Sequence, residues 1–189
     1  MKKQYKLIAL MGKAGSGKDT IMKKMLELYP GLHEIVSCTT RPRRDYEIEG
    51  VNYYFYSIED FTKKVINGEM LEATEFNGWF YGTPIEGLDE NSVNIGVFNP
   101  AGIEAISGNP QIDMKLFYIT ASDKTRMLRQ LNREGDPNVD EIIRRYKTDK
   151  EDFINVDDDF DPIHILSDDG RTPLMCAQSI YEVCSGWVN

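Results

Sequence analysis

The chain has 189 residues, with 22 Lys and Arg against 31 Asp and Glu, a formal net charge of −9 and a sequence pI of about 4.8. That length fits one substantial core with room for an inserted lobe, and the acidic balance disfavours a nucleic-acid polymer or an anionic membrane as partner, since both need a basic stripe. Three cysteines, Cys38, Cys176 and Cys184, are an odd number without metal-ligand spacing, so reduced thiols in a cytoplasmic protein are expected rather than a disulfide framework or a zinc site.

At the N-terminus, Lys2-Lys3 leads into an apolar run of only about six residues, too short for a signal sequence or a membrane span. Leu7 to Met11 reads as a buried strand. It runs directly into Gly12-Lys13-Ala14-Gly15-Ser16-Gly17-Lys18-Asp19-Thr20, a GxxxxGK loop that a helical pattern follows through Ile21, Met22, Met25, Leu26 and Leu28. Strand, glycine loop and helix in this order form a phosphate cradle: backbone N–H groups turn inward, the helix N-terminus adds partial positive charge, and Lys18 reaches β- and γ-phosphates. Asp19 occupies the position where the pattern places a metal-ligating hydroxyl, and Thr20 comes one residue later. Tyr29-Pro30-Gly31 stops the helix.

Residues 35–85 break the rhythm. They are rich in Tyr, Thr and charge, and the alternating stretch Asn52-Tyr53-Tyr54-Phe55-Tyr56 fits an antiparallel lobe, with a helix expected over Ile58 to Asn67. Buried parallel strands are then expected at Val93 to Phe98, Met114 to Thr120 and Ile163 to Leu166. Helices are expected at Gly102 to Ser107, Asp123 to Asn132, Val139 to about Ile154 and Pro173 to Cys184. Val139, Ile142, Ile143 and Tyr146 keep a helical stripe, and Thr172-Pro173 supplies an N-cap and first-turn proline. Arg126, Arg129, Arg133, Arg144 and Arg145 flank the turn Glu134-Gly135-Asp136-Pro137-Asn138, which reads as an arginine-bearing flap; Arg126 and Arg145 read as ordinary charges of a helix pair. The fold class is α/β.

Three stretches then combine: the glycine loop; Ser37-Cys38-Thr39-Thr40-Arg41-Pro42-Arg43-Arg44 with Tyr53-Tyr54-Phe55; and Leu71-Glu72-Ala73-Thr74-Glu75-Phe76-Asn77-Gly78 leading to Tyr81-Gly82-Thr83. Together they resemble guanylate kinase, a family of P-loop nucleoside monophosphate kinases, over nearly the whole chain. The resemblance implies a three-layer P-loop NTPase core with a parallel sheet (1–34, 86–121 and 147–189), an inserted lobe for the nucleoside monophosphate (35–85) and a helical lid (122–146). It also implies transfer of the γ-phosphate of ATP to GMP or dGMP, with Mg²⁺ as cofactor. Residues 12–20 would bind ATP. Arg41, Arg44, Tyr53 and Tyr81 match the family's monophosphate clamp, Glu72 its guanine-reading carboxylate, and Ser37 and Thr83 its hydroxyl contacts to the base. Lys18, Arg44, Arg133 and Arg144 match its catalytic cations.

The physical chemistry of these residues agrees with those roles. A dianionic phosphate suits a fork of guanidinium groups and phenols. Guanine offers N1–H and an exocyclic amine side by side, a donor pair that one carboxylate accepts. The attacking oxygen belongs to a phosphate whose second pKa is about 6, so no general base is required.

Two departures stand out. Where the family carries Asp-x-Asp, this chain has Val97 and Asn99, while Asp19 is an acid gained in the loop. Asp19 then either restores an anionic metal partner or only caps the helix while Thr20 serves the metal. Asn99 alters the base site, so a broader deoxynucleoside monophosphate kinase of the bacteriophage type is one alternative. A non-catalytic guanylate-kinase-like binding module is another.

Overall fold

Strand β1 (Tyr5–Met11) is the centre of the molecule: Leu7, Ile8, Ala9, Leu10 and Met11 are all fully buried. A strand buried on both faces must lie inside a parallel sheet covered by helices, and that is its setting. The structure, a computed structural model, describes residues 4–43, 47–76, 78–133, 137–168 and 170–187. Arg44 and residues 134–136 of the expected turn lie outside the described residues.

The main sheet joins β2 (Leu32–Glu34), β7 (Val93–Val97), β1, β8 (Ile112–Thr120) and β9 (Ile163–Leu166) in that order, every pairing parallel. Because side chains alternate along a strand, β1 divides the core in two. Ile8 and Leu10 pack with Ile21 and Met25 of α1 (Lys18–Leu28) and with Cys176, Ala177, Ile180 and Cys184 of α7 (Pro173–Cys184). Leu7, Ala9 and Met11 face Ile103 and Ile106 of α3 (Pro100–Ile106) and Val156 of α6 (Val156–Phe160) on the other side. Each such aliphatic side chain contributes roughly 1.5–3 kcal/mol by leaving water. The three layers are thus helix, sheet, helix. All three cysteines are buried free thiols.

A second sheet has the order β4 (Tyr54–Phe55), β3 (Cys38–Thr39), β6 (Trp79–Pro84), β5 (Met70–Phe76), with Phe61 of α2 (Ile58–Ile66) buried against it. Its β5–β6 and β3–β6 pairings are antiparallel, but β4 pairs parallel to β3, with Cys38 opposite Tyr54 and Thr39 opposite Phe55. The alternating 52–56 stretch is therefore not antiparallel as expected. The long connection over 40–53 carries the chain back to the start of β3, the kind of crossover that parallel pairing requires.

Three boundaries also differ. Helix α3 starts at Pro100 because the Asn99 side chain caps it, and α5 (Val139–Asp152) stops before the separate short α6. The edge strand β2 is too short, with only Leu32 buried, to leave a pattern in the sequence. Among the described residues no helix is long and apolar enough to cross a membrane.

Candidate functional site

The chain leaves β1 at its carboxyl end, goes to one side of it through β2 and β7, and crosses to the other side at β8, so the crevice above β1 is the switch point where α/β sheets bind ligands. A cleft of about 1030 Å³ opens there. Gly12, Ala14, Gly15, Gly17, Lys18, Asp19 and Thr20 line it, whereas Lys13 and Ser16 do not, and Ser16 is fully buried. Gly17 sits at φ 96° as the N-cap of α1 with no side-chain cap, which leaves the first N–H groups of the helix for an anion. Asp19 is therefore not the cap that one reading of the sequence made it. It stands in the first turn with its side chain 71% exposed, 3.8 Å from Lys18 Nζ.

The loop is braced from behind. Helix α4 (Asp123–Leu131) presents Arg126 and Arg129, three residues apart on one face. Arg126 Nε donates to Ala14 O (3.0 Å), while Arg129 Nη1 donates to Ser16 O (3.0 Å) and its Nη2 to Ser167 O (2.7 Å). Arg126, read from the sequence as an ordinary charge of a helix pair, is only 2% exposed. A Cβ on Gly15 would lie 2.5 Å from the Arg126 carbonyl oxygen, so the loop and α4 touch backbone to backbone.

The second sheet brings two further groups to the cleft. The β5–β6 hairpin sets Glu72 opposite Thr83, whose hydroxyl donates to Glu72 Oε1 at 2.8 Å. Glu72 is 9% exposed and burial pushes its carboxyl up to about 7, against the Thr83 hydrogen bond, which lowers it. Ser37 and Asn99 line the same end, and a Cβ on Gly102 would meet both Asn99 Oδ1 and Glu72 Oε2. Asn99 Oδ1 accepts the Gly102 N–H at 2.7 Å, and its amide NH₂ adds two donors that a carboxylate at this position would lack. The neighbouring Cys38 thiol is pushed up to about 12 by burial and then by Glu72, which makes it a poor nucleophile.

The other group is cationic. Arg41 lies over the rings of Tyr53 (5.8 Å) and Phe55 (5.9 Å), and Tyr53 meets Tyr81 edge to face at 6.1 Å. Arg41 Nη2 donates to Glu47 Oε1 at 2.6 Å, and this hydrogen bond holds the guanidinium pKa up. Glu47, a buried acid that sequence reading passed over, so keeps the clamp arginine in place before an anion arrives.

In the lid, Arg133 and Arg145 line the cleft and Arg144 does not. Successive helical residues point about 100° apart, and here the turn of α5 directs Arg145 toward the cleft. Arg144 is held bidentately by Glu141, Nε to Oε2 at 2.7 Å and Nη2 to Oε1 at 2.9 Å. Asp149, also unforeseen, lines the cleft too. It lies three residues beyond Tyr146 on the stripe of Val139, Ile142 and Tyr146, and a carboxylate on a core-facing stripe was the available signal.

No group of three or more His, Cys, Asp or Glu that could hold a metal occurs among the described residues. Asp19 and Thr20 beside Lys18 supply one or two hard oxygen donors, which fits a Mg²⁺ held largely by nucleotide phosphates and water.

Comparison with known proteins finds relatives over nearly the whole chain. The guanylate kinase family model matches residues 4–170. A guanylate kinase of Nostoc sp. (strain PCC 7120) is 35% identical over 178 residues, covering 92% of this chain and 87% of its own. One from Trichormus variabilis is 34% identical over the same shares. The crystal structure of guanylate kinase from Anaplasma phagocytophilum superposes with a TM-score of 0.66 at 20% identity, covering 100% of this chain and 88% of that one, and so shares the fold.

Proposed function

The chain belongs to the guanylate kinase family and is a nucleoside monophosphate kinase, and we propose that it transfers the γ-phosphate of ATP to GMP and to dGMP, giving ADP and the guanine nucleoside diphosphate. The observation that carries the choice of base is the buried Glu72–Thr83 pair at one end of a cleft whose other end is the phosphate loop. Guanine N1–H and its 2-amino group donate to the Glu72 carboxylate, Ser37 and Thr83 complete the contacts to the base, and the monophosphate is taken by Arg41, Tyr53 and Tyr81 with Arg44. Residues 12–20 hold ATP through the free backbone N–H groups at the start of α1 and through Lys18.

An acceptor phosphate oxygen forms the new bond to Pγ as the bond from Pγ to the β-γ bridging oxygen breaks, and ADP departs. The acceptor oxygen is already ionised at neutral pH, so catalysis consists of positioning and charge neutralisation by Lys18, Arg133 and Arg145. Arg145 takes the lid role expected of Arg144, because it is the one facing the cleft. Lid closure over both nucleotides would exclude water and limit hydrolysis of ATP. Mg²⁺, when bound, supplies further neutralisation of the triphosphate charge, and Asp19 or Thr20 would hold it. Asp19→Ala should raise the Mg²⁺ concentration for half-maximal rate on the order of 10-fold, measured by titrating Mg²⁺ at saturating ATP and GMP. An unchanged Mg²⁺ requirement would leave Thr20 alone in that role.

A second reading is favoured by one observation. Asn99, whose oxygen caps α3, brings NH₂ donors where the family's acid could only accept, which widens the range of deoxynucleotide bases the site tolerates. Coupled measurement of ADP formation with GMP, dGMP, AMP, dTMP and dCMP separates the two. We expect GMP and dGMP to exceed the others by about 10²-fold in kcat/KM. Activity on dTMP above that on dGMP would overturn the guanine assignment.

A further inference from the structure

We infer that Arg126 and Asp149 are positioning residues that staple the phosphate loop to helices α4 and α5 through a single loop residue, Ala14, and so set the affinity for the triphosphate donor. The inference rests on the reading of residues 12–20 as the ATP site.

Both backbone polar groups of Ala14 are engaged. Its N–H donates to Asp149 Oδ2 at 2.8 Å and its carbonyl oxygen accepts from Arg126 Nε at 3.0 Å. Arg126 Nη2 donates to the same Asp149 oxygen at 2.5 Å, closing a ring of three residues from α4, α5 and the loop. The ring is tied down twice more. Arg126 Nη1 donates to Asp123 Oδ1 at 2.9 Å, and Asp123 Oδ2 accepts from the Tyr146 hydroxyl of α5 at 2.5 Å.

An acid in the wall of a cleft built for polyphosphate works against its ligand unless its charge is consumed nearby. Here Arg126 consumes it, and the side chains of Arg126 and Asp149 are only 2% and 15% exposed. A GxxxxGK loop also needs its carbonyls turned outward if its N–H groups are to face a phosphate, and outward carbonyls need donors. Arg126 and Arg129 provide them at Ala14 and Ser16. Asp149 takes the Ala14 N–H, which is thereby committed to a side chain of α5 rather than left for a phosphate oxygen. The loop is in this way shaped before ATP arrives.

Asp149→Ala and Asp149→Asn test this by titration calorimetry with ATP alone and with GMP alone. The alanine variant should bind ATP about 10- to 100-fold more weakly and GMP within about twofold of the unmodified protein, since misplacement by an ångström costs up to about 10²-fold. The amide oxygen of the asparagine variant still accepts from the Ala14 N–H, so Asp149→Asn should recover part of the loss. Unchanged ATP affinity in Asp149→Ala, or equal losses for ATP and GMP, would overturn the inference. Should the variants not fold, amide hydrogen exchange of the unmodified protein decides: Ala14 N–H protected with and without ATP supports the staple, and exchange as fast as the neighbouring loop amides refutes it. Neither readout requires phosphoryl transfer, so an enzyme that failed to use GMP would sink the guanine reading without touching this one.

Discussion

Glu72→Gln should lower kcat/KM for GMP by about 10³-fold and, at pH 8, make the protein more stable. The activity loss follows from donor and acceptor counting. The carboxylate has lone pairs for both guanine donors after accepting the Thr83 hydroxyl, whereas an amide whose oxygen is held by Thr83 turns its NH₂ toward N1–H and the 2-amine. The stability gain follows from linkage. Burial raises the Glu72 pKa from 4.5 to about 7, so between those values the native state binds more protons than the unfolded chain, and stability from this group falls as pH rises through that window. Above pH 7 the cost is up to about 3 kcal/mol, at 1.36 kcal/mol per unit. Glutamine removes it but leaves an amide N–H without a partner, at about 1 kcal/mol, for a net gain on the order of 2 kcal/mol. Thermal unfolding should then rise by roughly 4–8 °C at pH 8 and fall by roughly 1–4 °C at pH 4.5, where the ionisation cost is gone and only the amide's remains. The same pKa makes GMP affinity of the unmodified enzyme fall toward tenfold per unit below about pH 7, before the phosphate's own second pKa, about 6, adds to it. A flat GMP KM between pH 6 and 7.5, or a destabilised Glu72→Gln at pH 8, would contradict this role.

Lys18→Met should cost about 10³-fold in kcat, with KM for GMP within about threefold and unfolding temperature unchanged. One preorganised cation on a transferring phosphoryl group is worth 10²–10³, about 4 kcal/mol at the upper end. Little structure depends on the ammonium: its side chain is 19% exposed at the first position of α1, and its charged neighbour among the described ion pairs is Asp19 at 3.8 Å. A loss in the Michaelis constant for GMP rather than in turnover would place Lys18 elsewhere in the reaction.

How much of this was legible in the sequence depended on how local its signal was. The phosphate loop lies within nine consecutive residues between a buried strand and a helix, so its spacing alone identified it. Glu72 and Thr83 came from matching a pattern, and their antiparallel register explains why that spacing persists. Facing was not legible where it depends on which way a helix is turned: Arg144 and Arg145 are adjacent, and only packing against the core decides which one lines the cleft. Arg126 and Asp149 lie 23 residues apart on different helices, and they pair with each other and with Ala14 through contacts that no local pattern encodes. The parallel return of β4 was hidden for the same reason, because alternation reveals a strand's faces but not its partner's direction.

A crystal structure with GMP and a non-hydrolysable ATP analogue would put both ligands in view. The Glu72 carboxylate should lie about 2.7–3.1 Å from guanine N1 and N2, with the monophosphate on Arg41, Tyr53 and Tyr81 facing the analogue's terminal phosphate at Lys18. Glu72 bonded to Thr83 alone beside a vacant acceptor end, with GMP bound elsewhere or not at all, would contradict it.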